Sequence, residues 1–179
     1  LNSYYSSVGN KINFPIGVIN NLALSYVAFK NNNYGLVIFN LLFFMPINIK
    51  GYFEWNKNSN KDVVENRGLG LKKGAITIIL SIVTGLLVAY LLQLIPGERL
   101  TYLDSFTNVI SFIAGILLML RYNESWILYL VNNVLDLTLW IINFSSGGFD
   151  SLMVLLMSVM YLVINIYALF KWRDKNERL

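Results

Sequence analysis

Asn133, Asp136, Trp140 and Asn143 follow one another at intervals of three, four and three, which sets their side chains on one stripe of an α-helix. The residues around them are apolar, so the helix carries a carboxylate into a medium where a bare charge is costly. Such a stripe must face a cavity or a partner: Asp136 belongs either to a solute pathway or to a clamp with a neighbouring Ser, Thr or Asn. Asn40, Phe44, Asn48 and Tyr52 recur every fourth residue, with Trp55 seven beyond Asn48. Ser158, Tyr161, Asn165 and Trp172 make a similar series near the C-terminus. Amides beside aromatic rings suit a flat polar ligand, stacked on its face and hydrogen-bonded at its edge. For Trp55, Trp126 and Trp172 the ordinary alternative is an aromatic belt at the membrane surface, since each lies near a helix end.

Other chemistry is excluded by composition. The 179 residues include no histidine and no cysteine, so there is no Ser-His-Asp triad, thiol nucleophile, disulfide or ordinary zinc or haem ligand set. No cofactor and no enzymatic activity are expected, because no acid, base and metal-ligand set converges. Hydrophobic residues make up 56% and charged residues 13%, about half the charge of a soluble domain.

The elements that must position these residues are membrane helices. Stretches almost free of charge run over 12–29, 34–49, 74–95, 105–120, 125–143 and 151–170, each near the length of one bilayer crossing. The expected fold is therefore an all-α membrane protein with six visible transmembrane helices. If the helices alternate in direction, twelve of the 14 basic residues fall on one side and only Lys30 and Arg99 on the other. By the positive-inside rule, both visible ends and the linker around Arg67 are then cytoplasmic, and the basic residues are a topology signal with no support for nucleic-acid binding. The chain begins at Leu1 with polar residues through Asn10, and a helix is expected to precede them.

An internal repeat ties the polar series together. Val18-Ile19-Asn20-Asn21 parallels Leu130-Val131-Asn132-Asn133, and Asn48-Ile49-Lys50-Gly51-Tyr52-Phe53-Glu54-Trp55 parallels Asn165-Ile166-Tyr167-Ala168-Leu169-Phe170-Lys171-Trp172. Both copies enter from and return to the same side, so the expected division is one transmembrane domain with a first, incomplete repeat over 12–55, a linker helix over 74–95 and a second repeat over 105–172. Parallel repeats of this kind occur in transporters, with solute near the midplane between them.

At Asn48 to Trp55 the sequence resembles the PnuC family of bacterial nicotinamide riboside transporters, whose third helix ends in Asn-Ile-Tyr-Gly-Trp-Tyr-x-Trp. A second block is similar in order and spacing: Asp104-Ser105, then Leu118-Met119-Leu120-Arg121-Tyr122, then Glu124-Ser125-Trp126 and Asn133. The chain departs from the first motif, with Lys50 for Tyr, Tyr52 for Trp and Phe53 for Tyr. The resemblance implies two parallel three-helix bundles joined by a central helix, as in SWEET sugar transporters. It also implies uptake of nicotinamide riboside or a related vitamin by facilitated diffusion, with trapping by cytoplasmic phosphorylation.

The candidate substrate-binding residues are thus Asn48, Tyr52, Trp55, Trp126, Asn133, Asp136, Trp140 and Asn165. The expected partners are a small vitamin or nucleoside and the lipid bilayer of a bacterial inner membrane, with a homo-oligomer left open. The competing readings are a proton- or ion-coupled transporter using Asp136 and a non-transporting membrane scaffold subunit.

Overall fold

The computed structural model describes residues 1–30, 37, 39–60, 63–93, 101–145 and 152–176. Helix α1 (Asn2–Ser7) is followed by α2 (Asn13–Lys30), and a π-helical turn (Phe39–Phe44) leads into α3 (Met45–Lys57). A short hairpin of β1 (Ser59–Asn60) and β2 (Val63–Val64) precedes α4 (Leu71–Leu92), α5 (Thr101–Met119), α6 (Ser125–Ser145) and α7 (Leu152–Asn176). On length and composition, Leu71–Leu91, Ser125–Ile142 and Leu152–Trp172 can each cross a membrane, and Ser105–Met119 is a shorter apolar helix. The chain is an all-α membrane protein. Of the six expected segments, 12–29, 74–95, 105–120, 125–143 and 151–170 overlap the helices α2, α4, α5, α6 and α7, and 34–49 lies partly outside the described residues.

Helices α1 and α2 pack together, as do α2 and α3; α5 packs on α6, and α6 on α7. Two further contacts cross between these sets, α1 with α7 and α3 with α5, while α4 lies against α5. Gly85 permits that last approach, because a Cβ there would stand 2.6 Å from the Phe106 ring. Pro46, at the start of α3, has no N–H to give the preceding turn, and its ring crowds the carbonyl four residues back; the backbone widens into the π-helical turn just before it. Pro15 lies in the first turn of α2, where a missing N–H breaks no helical bond.

The turn after α1 repeats the turn after α5. Gly9 (φ 76°) and Arg121 (φ 68°) both adopt the left-handed conformation that ends a helix. Gly9 N–H donates to Ser6 O and Asn10 N–H to Tyr5 O, matched by Arg121 N–H to Leu118 O and Tyr122 N–H to Leu117 O. Glycine takes this conformation freely; Arg121 does not, and it is held by Glu54 at 3.3 Å and by donating to Glu65 O at 3.1 Å.

The segment after α3 is a strap laced into both turns. Val64 N–H donates to Gly9 O and Arg67 N–H to Arg121 O, both at 2.9 Å, and Asn123 N–H returns a bond to Arg67 O. The Arg67 guanidinium stacks 4.3 Å over Tyr122, and Asn66 Nδ2 donates to Trp172 O. Lys11, Lys57, Arg67, Arg121 and Lys171 all belong to this end of the molecule, and Lys30 lies at the opposite end of α2.

Beneath the strap is the core. Phe14, Trp55, Val64, Leu118, Trp126, Ala168 and Trp172 form one buried cluster. Phe14 meets Trp55 edge-on at 4.8 Å, Trp55 lies 5.7 Å from Trp172, and Trp172 lies 5.6 Å from Trp126. Such aromatic pairs contribute about 0.5–1.5 kcal/mol each beyond area burial. The tryptophans sit at helix ends, as a lipid-facing belt would require, but Trp55, Trp126 and Trp172 are only 0%, 2% and 1% exposed. The belt reading therefore fails for all three.

Candidate functional site

A cavity of about 230 Å³ opens above this aromatic floor, lined by residues of α1, α5, α6 and α7. Helix α6 contributes Trp126, Tyr129, Asn132, Asn133 and Asp136, and α7 contributes Tyr161 and Asn165. From α1 come Asn2, Ser3 and Ser6, and from α5 come Ser111 and Leu118. The helical spacing of α6 delivers this face: Tyr129, Asn132, Asn133 and Asp136 lie three or four residues apart around one side.

The amides of the cavity wall are organised by one another. Asn165 Nδ2 donates to Asn133 Oδ1 and also reaches Tyr129 O at 3.3 Å, tying α7 to α6. Asn132 Nδ2 donates to Asp136 Oδ2 at 3.2 Å and approaches Ser111 Oγ at 3.5 Å. On the α1 side, Asn13 Nδ2 donates to Ser6 Oγ at 2.7 Å, and Ser6 Oγ to Asn2 Oδ1 at 3.4 Å. Two lining atoms are left over. Trp126 Nε1 and Asn132 Oδ1 are buried and meet no hydrogen-bond partner among the described residues, one a donor and the other an acceptor. Buried polar groups are nearly always satisfied, so these two are the candidate points of contact for a polar ligand.

Of the sequence-derived candidates, Trp126, Asn133, Asp136 and Asn165 line this cavity. Trp55 does not; it lies in the floor, fully buried, with Nε1 donating to Leu118 O at 3.0 Å. Asn48 and Tyr52 line a separate apolar groove with Phe14, Pro15, Val18, Ile49 and Phe53. Asn48 Nδ2 donates to Phe44 O, the last carbonyl of the π-helical turn, and its Oδ1 lies 2.5 Å from where a Gly17 Cβ would stand. Trp140 is half-buried on α6 and lines neither, while the side chain of Asn143 lies outside the described residues.

The sequence reading missed Asn132, Tyr129, Ser111 and the α1 residues as cavity lining. A signal existed for Asn132, which stands four residues before Asp136 and so within side-chain reach on a helix. None existed for Asn2, Ser3 and Ser6, whose six-residue helix is placed by tertiary contacts alone.

Known proteins match along nearly the whole chain. The family described as nicotinamide mononucleotide transporter matches residues 1–174. The nicotinamide riboside transporter PnuC of Neisseria mucosa is 32% identical over 177 residues, covering 95% of this chain and 66% of that protein. Its counterpart in Haemophilus influenzae is 31% identical over 176 residues, covering 96% of this chain and 74% of that one. The crystal structure of the vitamin B3 transporter PnuC superposes with a TM-score of 0.77 at 29% identity, over 97% of this chain and 76% of that one. The chain thus spans about two thirds of the Neisseria protein and about three quarters of the other two. These relatives are transporters and not enzymes. With the apolar helices and the polar cavity among them, the match establishes that the chain belongs to the nicotinamide mononucleotide transporter family of multi-pass membrane proteins.

Proposed function

We propose that this protein carries nicotinamide riboside across the bacterial inner membrane, down its gradient, through the cavity between α1, α5, α6 and α7. One observation carries the choice of solute: among the described residues, the lining includes the carboxylate of Asp136 and neither lysine nor arginine. Nicotinamide riboside bears a cationic pyridinium ring, a carboxamide and ribose hydroxyls. An aromatic face such as Trp126 favours the cation, a carboxylate complements its charge, and the amides of Asn132, Asn133 and Asn165 match the polar edges. A phosphate dianion would find no cationic partner and would face Asp136. Phosphorylation in the cytoplasm would for that reason trap the product. The halves α1–α3 and α5–α7 act as parallel-oriented repeats about the cavity, with α4 as the linker. The repeated left-handed turns and the reciprocal contacts α1–α7 and α3–α5 support this arrangement.

Calorimetry with the purified chain tests the assignment. Nicotinamide riboside is expected to bind at least about tenfold more tightly than its mononucleotide, the difference one unpaired charged group makes. Equal or inverted affinities would overturn the solute choice. Uptake into vesicles is expected to proceed without a pH gradient; a strict requirement for one would favour a proton-coupled cycle through Asp136.

A further inference from the structure

Helix α2 carries two buried polar side chains that the cavity does not use. Asn21 and Ser25 are 7% and 6% exposed, and Asn21 Nδ2 and Ser25 Oγ meet no hydrogen-bond partner among the described residues. They stand one turn apart on the same face, with buried Gly17 one turn before them. Other helical hydroxyls of the bundle are satisfied locally: Ser81 donates to Thr77 O at 2.8 Å, Thr138 to Val134 O at 2.9 Å, and Ser158 to Val154 O at 3.0 Å. Ser25 has the same carbonyl available one turn back and does not use it. In a bilayer no water covers such a group, so an unused donor on a buried helix face needs an occupant.

At Gly17 the stripe meets Asn2, a residue of the cavity wall. A Cβ on Gly17 would stand 2.5 Å from Asn48 Oδ1 and 2.7 Å from Asn2 Nδ2, and Asn2 lines the cavity. From there Asn21 and Ser25 climb about 12 Å along α2 at 1.5 Å per residue, away from the strap. Because α3 packs against α2 and meets Gly17 at Asn48, the residue eight positions earlier, Asn40, comes near the depth of Ser25. Asn40 is itself buried, inside the π-helical turn. Irregular helical backbone within a membrane is tolerated where it lines a polar route.

We propose that Asn21 and Ser25 form a second, weaker station for the solute, between the cavity and the membrane face remote from the strap. Their free N–H and O–H groups donate to the ribose and carboxamide oxygens of a nucleoside in transit. The proposal deepens the transport reading and rests on it. Because the station serves passage, losing it slows transport and leaves binding in the cavity intact.

The test uses the full chain in proteoliposomes with nicotinamide riboside as probe. Asn21→Leu and Ser25→Ala are each expected to lower the initial uptake rate by roughly tenfold, with the calorimetric dissociation constant unchanged within about twofold. The melting temperature should hold, since each change removes a buried polar atom that nothing satisfies. Ser25→Cys places a single thiol in a cysteine-free chain. It should react with a small water-soluble methanethiosulfonate, and nicotinamide riboside should slow that reaction. Unchanged uptake in both variants, or uptake lost only in step with a lowered melting temperature, overturns the station, as does a Ser25→Cys thiol that stays unreactive. If the unaltered protein neither binds nor takes up nicotinamide riboside, the transport reading fails, and labelling by the reagent alone still decides whether this face meets water.

Discussion

Asn133 and Asn48 look alike in the sequence, each an amide on an apolar helix near an aromatic residue, and the structure gives them different work. Asn133 accepts from Asn165 in the cavity wall, whereas Asn48 is turned against α2, bonded to Phe44 O and pressed on Gly17. The two leucine variants are therefore expected to separate. Asn133→Leu should weaken nicotinamide riboside binding by about 1–3 kcal/mol, the cost of leaving a ligand polar group unpaired in a dry site. Asn48→Leu brings a branched side chain to a spot with no room for even a Cβ opposite, and should lower the melting temperature with affinity held in the folded fraction. Calorimetry beside thermal melting checks both. Affinity loss confined to Asn48→Leu would return that residue to the binding site. The motif around Asn48 was legible as a motif; its direction was not, because spacing fixes the face a residue shares and leaves open which neighbour covers that face.

Between elements, the tryptophans show how the two helix sets are joined. Trp55, on α3, donates to Leu118 O at the end of α5, and Trp172, on α7, donates to Ser7 O at the end of α1, each at 3.0 Å. The bonds are reciprocal, and both cross from one set to the other. Gly51 and Ala168 stand at matching places in the Asn-Ile-x-x-x-Phe-x-Trp repeat, four residues before each tryptophan, and both are buried. A Cβ at Gly51 would fall 2.2 Å from the Phe14 ring, so the first copy has no space for the alanine the second copy keeps. Trp172→Phe should destabilise the protein by about 1–3 kcal/mol, the cost of a buried carbonyl left without its donor, and Trp55→Phe by less, about 1 kcal/mol, because Leu118 O keeps the Arg121 N–H. Because the rings touch, the double variant should depart from additivity by at least about 0.5 kcal/mol, measurable by denaturant or thermal unfolding in detergent. Strict additivity would mean the two bonds act independently. The residue matches were readable in the sequence, but they placed these rings at helix ends and could not distinguish inward from lipid-facing.

For the molecule as a whole, the strap end collects Lys11, Lys57, Arg67, Arg121 and Lys171, with the α1–α2 turn, the α5–α6 turn and Trp172 of α7 hydrogen-bonded together there. By the positive-inside rule, an end so rich in basic side chains is expected to face the cytoplasm. Reporter fusions after Leu179 and in the connection around Gly147 are expected to report opposite compartments, the former cytoplasmic. A periplasmic signal after Leu179 would invert the topology and place the cavity floor on the outer side.

The sequence by itself determined the membrane class and most of the helices, and ruled out histidine and cysteine chemistry, because hydrophobic run length and residue type are local quantities that lipid and chemistry read directly. It also marked four of the twelve residues that line the cavity, since Trp126, Asn133 and Asp136 lie within three turns of one helix and Asn165 stands in the Asn-Ile-x-x-x-Phe-x-Trp match. Tertiary structure alone decided the rest. It brought Asn2, Ser3 and Ser6 to the cavity from a helix of six residues, moved Trp55 into the floor, and turned Asn48 and Tyr52 toward a different groove. Those outcomes depend on which helix faces cross and at what depth, and that is fixed by close approaches such as Gly17 to Asn48 and Gly51 to Phe14 between distant parts of the chain.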